Sequence, residues 1–265
     1  DLQVPAEASR AVAVAAALVD REVNQNRWVA NDPWFQPGSI LDNMPNYQMG
    51  IVGALSRFVV ELTDHLARVR GTSVADADLQ TAMGGLNYPG DVWIFAWSST
   101  PVQPSSESQY RKAIEALRRY NERLAGGQAV LERRADNLQA TLQRIAADIG
   151  NISAGLYDRM EQGSAQWLDP QADDVFYGNK GRLYAYYLVL RELGNDYTSI
   201  VKERGLERTW GEMVKSFETV ATLDPLVVFN GDPDGLSIPN HLTSQGFILL
   251  RARFQLYEVI DILQK

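Results

Sequence analysis

The sequence predicts an all-α protein of about seven helices in a bundle, organised around one very long central helix over about 106–161. Three observations carry this. Apolar residues recur three and four apart in most segments. No strand-like run finds an obvious second strand to pair with. A seven-residue rhythm continues from Tyr110 to Leu156. One helical domain is expected over 1–265, with loops at 26–45, 87–105 and 224–240.

Residues 5–25 are rich in Ala and Val, with Pro5 at a position suited to a first helical turn. The stretch after it, with Trp28, Trp34 and three prolines, reads as loop. A helix over 47–70 follows, since Val52, Leu55, Val59, Leu62, Leu66 and Val69 form one apolar seam. A short helix is expected at 75–86, started by Asp76 or Ser73. "VWIFAW" at 92–97 has strand composition, but a lone strand leaves its backbone groups unsatisfied. It therefore reads as an extended or short helical piece on the core.

The long helix rests on two interleaved series. Tyr110, Leu117, Leu124, Leu131, Leu138, Ile145 and Ile152 fall seven apart; so do Ile114, Asn121, Gln128, Ala135, Leu142, Ile149 and Leu156. A helix must preserve such a phase, and a reversing loop has no reason to. Against it stand Gly126 and Gly127, which together cost roughly 2 kcal/mol inside a helix and suit a helix end. The phase favours one helix of ~55 residues, about 80 Å long at 1.5 Å per residue. A hairpin turning at "AGG" is the rival reading.

A helix from about 173 to 194 comes next, with Leu183, Tyr187, Leu190 and Tyr197 on its seam. Gly194-Asn195 interrupts it before a further turn to 204. Residues 206–223 place Trp210, Met213, Phe217 and Val220 on one face. The last helix, about 243–263, carries Phe247, Leu250, Phe254 and Tyr257.

Composition narrows the chemistry. A net charge of −8 repels nucleic-acid backbone on average, and Arg133-Arg134 beside Glu132 and Asp136 reads as a mixed solvated helix face. The absence of cysteine removes disulfides, thiolate metal sites and thiol catalysis. No stretch approaches the ~20 apolar residues of a membrane span. The start at Asp1 without methionine suggests that something upstream is removed, which a signal peptide, a membrane anchor or an arbitrary fragment boundary would each explain.

Three stretches carry a family resemblance: "LNYPGDVWIF" with "SESQYRKAIEALRRYNERLAGG", "FYGNKGRLYAYYLVLRELG", and "PNHLTSQGFILLRARFQLYEVIDIL". They resemble a mainly proteobacterial family known only as a domain of unknown function, whose members carry one N-terminal membrane-spanning helix. The resemblance implies an α-helical region of an envelope protein, periplasmic, with no activity, cofactor or catalytic residue to transfer. A membrane link would run only through an upstream anchor.

Known catalytic and metal patterns are absent. Neither His65 nor His241 follows a Glu at the spacing a di-iron bundle needs, and no zinc-protease, phosphate-loop or nucleophile-elbow motif occurs. "NGDPDG" at 230–235 matches the start of a calcium loop, but its last ligand position holds His241, so a plain turn is the better reading. "YGNKGR" at 177–182 reads as a helix start followed by cations, with anion binding as the sharper alternative. Paired carboxylates (Asp76 with Asp78, Glu61 with Asp64) read as capping or solvating groups. Tyr184, Tyr186 and Tyr187 spread around their helix as packing.

The leading functional expectation is a scaffolding or partner-binding domain, self-association included, whose rod offers a long surface. The alternative is a small-ligand protein with a pocket where 87–93, 176–182 and 230–241 converge, bringing Asp91, Lys180, Arg182 and His241 together. An enzyme is the weakest reading, since few general bases beyond carboxylates are present. No cofactor, metal, catalytic residue or nucleic-acid partner is expected.

Overall fold

Ser9 sets where the first helix begins: its extended backbone and its hydroxyl, accepting the Val12 amide at 3.1 Å, cap α1, Arg10–Asp20. The helix thus starts five residues after Pro5. The computed structural model describes residues 3–32, 43–66, 75–93, 103–163, 170–223 and 241–265. Among them are nine helices and no strand. After α1 come α2 (Asn43–Glu61), α3 (Ala77–Leu86), α4 (Ser106–Ala125), α5 (Ala135–Gly163), α6 (Pro170–Asp196), α7 (Thr198–Glu203), α8 (Glu207–Ala221) and α9 (His241–Leu263). The all-α class is as the periodicity requires; two more helices are present than the seven expected. Part of "VWIFAW", together with Trp34, Val69 and "NGDPDG", lies outside the described residues.

The central rod does not exist. α4 ends at Ala125, and the nine residues 126–134 between it and α5 are not helical. Gly127 adopts φ +70°, the left-handed region open to glycine. The Gln128 amide donates to the Arg123 carbonyl at 2.7 Å and the Gly127 amide to the Leu124 carbonyl at 3.1 Å, the pair of hydrogen bonds that closes a helix end. The loop is then pinned. Tyr120 donates to the Val130 carbonyl at 2.7 Å, and the Glu132 amide donates to the Leu66 carbonyl at 2.9 Å. Arg133, read as part of a helix face, instead donates to the Glu7 and Ala8 carbonyls.

The chain reverses at this loop. α4 and α6 both run antiparallel to α1: Asn121 and Asp196 meet Ser9, while Arg111 and Tyr184 meet Asn24 and Arg21 at the other end. α5 runs antiparallel to α6, through Glu132 with Tyr197 and Asp148 with Tyr186. α4 and α5 therefore point in opposite directions. They share no seam: α4 packs on α1 and α3, and α5 chiefly on α9. Each keeps its own apolar stripe buried, Tyr110, Ile114 and Leu117 in one, Leu142, Ile149 and Leu156 in the other. Asn121, expected to set register in a coiled coil, brackets the Ser9 backbone with both its amide atoms, at 2.8 and 3.0 Å.

The largest helix pair is α2 with α6, which run parallel because Asn46 meets Asp174 and Arg57 shares Asp148 with Tyr186. Glycines set their approach. A side chain at Gly50 would strike the Gly178 carbonyl, and one at Gly181 the Tyr47 carbonyl. "YGNKGR" is thus neither a helix start nor an anion-binding end: it lies inside α6, and its glycines let two backbones touch. Gly194 stays within α6, where a Cβ would strike the Trp210 indole, and the break falls after Asp196 instead.

α1 and α2 both continue into π-type turns, at Arg21–Gln25 and Leu62–Leu66. The seam from Val52 to Leu66 is buried as the spacing requires, as is the Trp210, Met213, Phe217 and Val220 face of α8. Asp76 caps α3 through the Asp78 and Leu79 amides.

Candidate functional site

α9 has two apolar faces. Leu249, Leu256, Val259, Ile260 and Leu263 are buried against α5 and α8. The row of Phe247, Leu250, Phe254 and Tyr257, which the sequence picks out on this helix, lies outside. Phe247 is 74% exposed and Phe254 66%, with Leu250 and Tyr257 also open to solvent. Both series have helical spacing, and the one that packs is the one α5 and α8 cover. The exposed row reads as successive a and d positions of a heptad. Arg251 and Glu258 flank it on one side and Arg253 on the other; Asp261 stands one layer beyond Tyr257. Arg253 lies over the Tyr257 ring at 5.5 Å. Singly exposed apolar residues are ordinary, whereas a contiguous row of four is the usual mark of a contact surface.

A second feature lies between α2, α5 and α6: an open cleft of about 490 Å³. Met49 and Arg182 line both this cleft and a neighbouring one of about 420 Å³, so Arg182 stands where the two meet. Asn46 donates to Asp174 at 2.6 Å on the far rim of the first. The second holds Arg57, which pairs with Asp148 at 2.9 Å, and Asn87, which accepts the Ser56 hydroxyl at 2.6 Å.

Two further polar clusters close on themselves. Glu22, wholly buried in the first π-type turn, pairs with Arg21 at 2.7 Å and accepts from Gln48 at 3.3 Å. Arg21 reaches on to the Tyr184 hydroxyl at 2.9 Å, and burial pushes the neighbouring Tyr47 phenol up to about 12. Tyr186 gives its hydroxyl to Asp148 at 2.7 Å; burial first, then that carboxylate, hold its own pKa well above the ordinary phenol value. Such groups satisfy one another and fix helix positions. Among the described residues, no group of three or more His, Asp or Glu side chains could hold a metal ion.

The structure places the four sequence candidates unevenly. Arg182 lines both clefts, and Gly90, next to Asp91, lines the second, so 87–93 and 176–182 do converge. Lys180 lies over the Tyr177 ring at 5.5 Å and lines neither cleft. His241 opens α9, and its side chain lies outside the described residues. Sequence reasoning overlooked Asn179, which shares the first cleft with Arg182 three residues away on α6. No motif signals it; only packing shows that this asparagine faces inward.

A family profile described as "Uncharacterized protein conserved in bacteria (DUF2333)" matches residues 5–166 of the chain. No curated protein and no solved structure matches it. No helix among the described residues is long and apolar enough to cross a membrane.

Proposed function

The chain belongs to this uncharacterised bacterial family, and from that premise we propose that it is a helical interaction domain of the cell envelope that self-associates through the outer face of α9. The exposed row of Phe247, Leu250, Phe254 and Tyr257 carries the reading. The elongated rod no longer supports a scaffold, because α4 and α5 double back.

A second copy of the chain is the occupant that the charges favour. In a parallel pair each apolar layer meets its own copy, and Arg253 of one helix comes opposite Glu258 of the other, twice by symmetry. In an antiparallel pair centred between Leu250 and Phe254, the two Arg251 side chains would face each other. Asp261 ends the contact, since two carboxylates do not share a seam. Aromatic side chains bury at most ~150–250 Å² each, so three of them with Leu250 in each copy give a contact at the low end of specific interfaces. The association is accordingly concentration-dependent. The envelope setting is supported by the resemblance to anchored proteins and is checked by fractionating cells that express the protein at its natural level.

Sedimentation equilibrium tests the association. The wild-type chain passes from monomer to dimer as concentration rises through the micromolar range, and Phe254→Asp stays monomeric with unchanged helicity. A wild-type monomer throughout, or a dimer that survives Phe254→Asp, refutes the reading.

A further inference from the structure

The α2/α5/α6 cleft contains polar groups that the fold leaves unused. Asn179 is 8% exposed, yet its side-chain amide makes no hydrogen bond among the described residues. Asn179 lines the cleft. A ligand offering a donor and an acceptor gives both atoms of such an amide a partner. One turn further along α6, the half-buried Arg182 guanidinium likewise makes no hydrogen bond or ion pair among the described residues. Its Nε lies 3.9 Å from where a Cβ of Gly53 would be, an ordinary packing distance against α2.

The cleft is polar at both ends, with opposite sign. Asp174 and Arg182 stand eight residues apart on one face of α6, about 12 Å along the helix at 1.5 Å per residue. Asn179 lies between them. A bound anionic group is drawn to Arg182 and repelled by Asp174, whose carboxylate is held by Asn46.

We propose that this cleft binds a small hydroxylated organic anion of sugar-acid or sugar-phosphate type, its charged group on Arg182 and a hydroxyl on Asn179. The site is distinct from the α9 face and stands or falls separately from self-association.

Nitrogen-15 spectra of the folded wild-type chain, titrated with glucuronate, glucose 6-phosphate, glucose and inorganic phosphate, test the assignment. The Asn179 side-chain amide and the Arg182 Nε–H shift on saturable addition of glucuronate or glucose 6-phosphate, and the stronger of the two identifies the anionic group. Glucose alone, lacking the charge, produces no saturable shift. Arg182→Gln weakens the stronger probe roughly tenfold or more, the loss of a charge-assisted bond. Asn179→Asp, nearly isosteric, weakens it by a similar factor through repulsion, while Lys180→Gln leaves it unchanged. Failure of both sugar anions to shift these signals at millimolar concentration overturns the proposal. So does equal binding of inorganic phosphate, or binding indifferent to Arg182→Gln in a variant of wild-type helicity.

Discussion

Asp196, at the end of α6, accepts the Ser9 hydroxyl at 2.6 Å and so holds the start of α1 from across the fold. The same carboxylate accepts the Arg10 amide at 2.8 Å and the Ala11 amide at 3.0 Å, taking up donors that a helix N-terminus leaves without partners. Burial outweighs these bonds and raises the Asp196 pKa above the ordinary value. One turn earlier Glu192 shows the reverse. Burial pushes it up, but hydrogen bonds from Arg10, Asn195 and Arg191 prevail and hold it below the ordinary carboxylate value.

These two carboxylates give pH dependences of opposite sign. A depressed folded pKa stabilises above the unfolded value and ceases to as pH falls through the folded one. Glu192→Gln therefore costs about 1 kcal/mol at neutral pH, reduced by the 40% exposure of Arg10, and almost nothing in acid. A raised folded pKa favours the fold below the unfolded value, an increment lost as pH rises through the folded one. The margin of the wild type over Asp196→Asn therefore narrows as pH increases. Urea midpoints for both variants between about pH 3 and pH 7 measure the two trends.

The α2/α6 crossing separates two kinds of helical glycine. Gly50→Ala and Gly181→Ala force the backbones apart and destabilise by about 3 kcal/mol, at the upper end of overpacking costs. Gly211→Ala on the outer face of α8 meets nothing within 4 Å and stabilises by about 0.5–1 kcal/mol. Thermal melts of the three variants distinguish a spacing glycine from a replaceable one.

The reversal between α4 and α5 depends on one of its two glycines. Gly127→Ala puts a Cβ at φ +70° and costs about 1 kcal/mol. Gly126→Ala, at φ −84°, is close to neutral. Equal effects in chemical denaturation would show that the turn is not held as described.

The helical class, the α2 seam, the Asp76 cap and the packed face of α8 were legible because local spacing determines each of them. The break at Gly126-Gly127 was not. The heptad phase is kept on both sides of a nine-residue loop, so phase alone could not separate one helix from two. The conformation of Gly127 and the pinning of Glu132 by Leu66 settle the matter. α9 was undecided for a related reason: "FILLRARFQLYEVIDIL" contains two apolar series, and only the positions of α5 and α8 decide which is covered. In the cleft, Arg182 was visible as a cation near glycines, but those glycines serve helix contact, and Asn179 had no sequence signal.

Cysteine-free chains allow a direct trial of the α9 contact, because a single introduced thiol can pair only with another copy. Phe247→Cys and Phe254→Cys, each oxidised under mild conditions, should both give disulfide-linked dimers, since parallel helices bring each layer against itself. Thr219→Cys on the exposed face of α8 should remain monomeric. Absence of linkage at both α9 positions, or linkage at Thr219→Cys just as readily, would contradict self-association through this face.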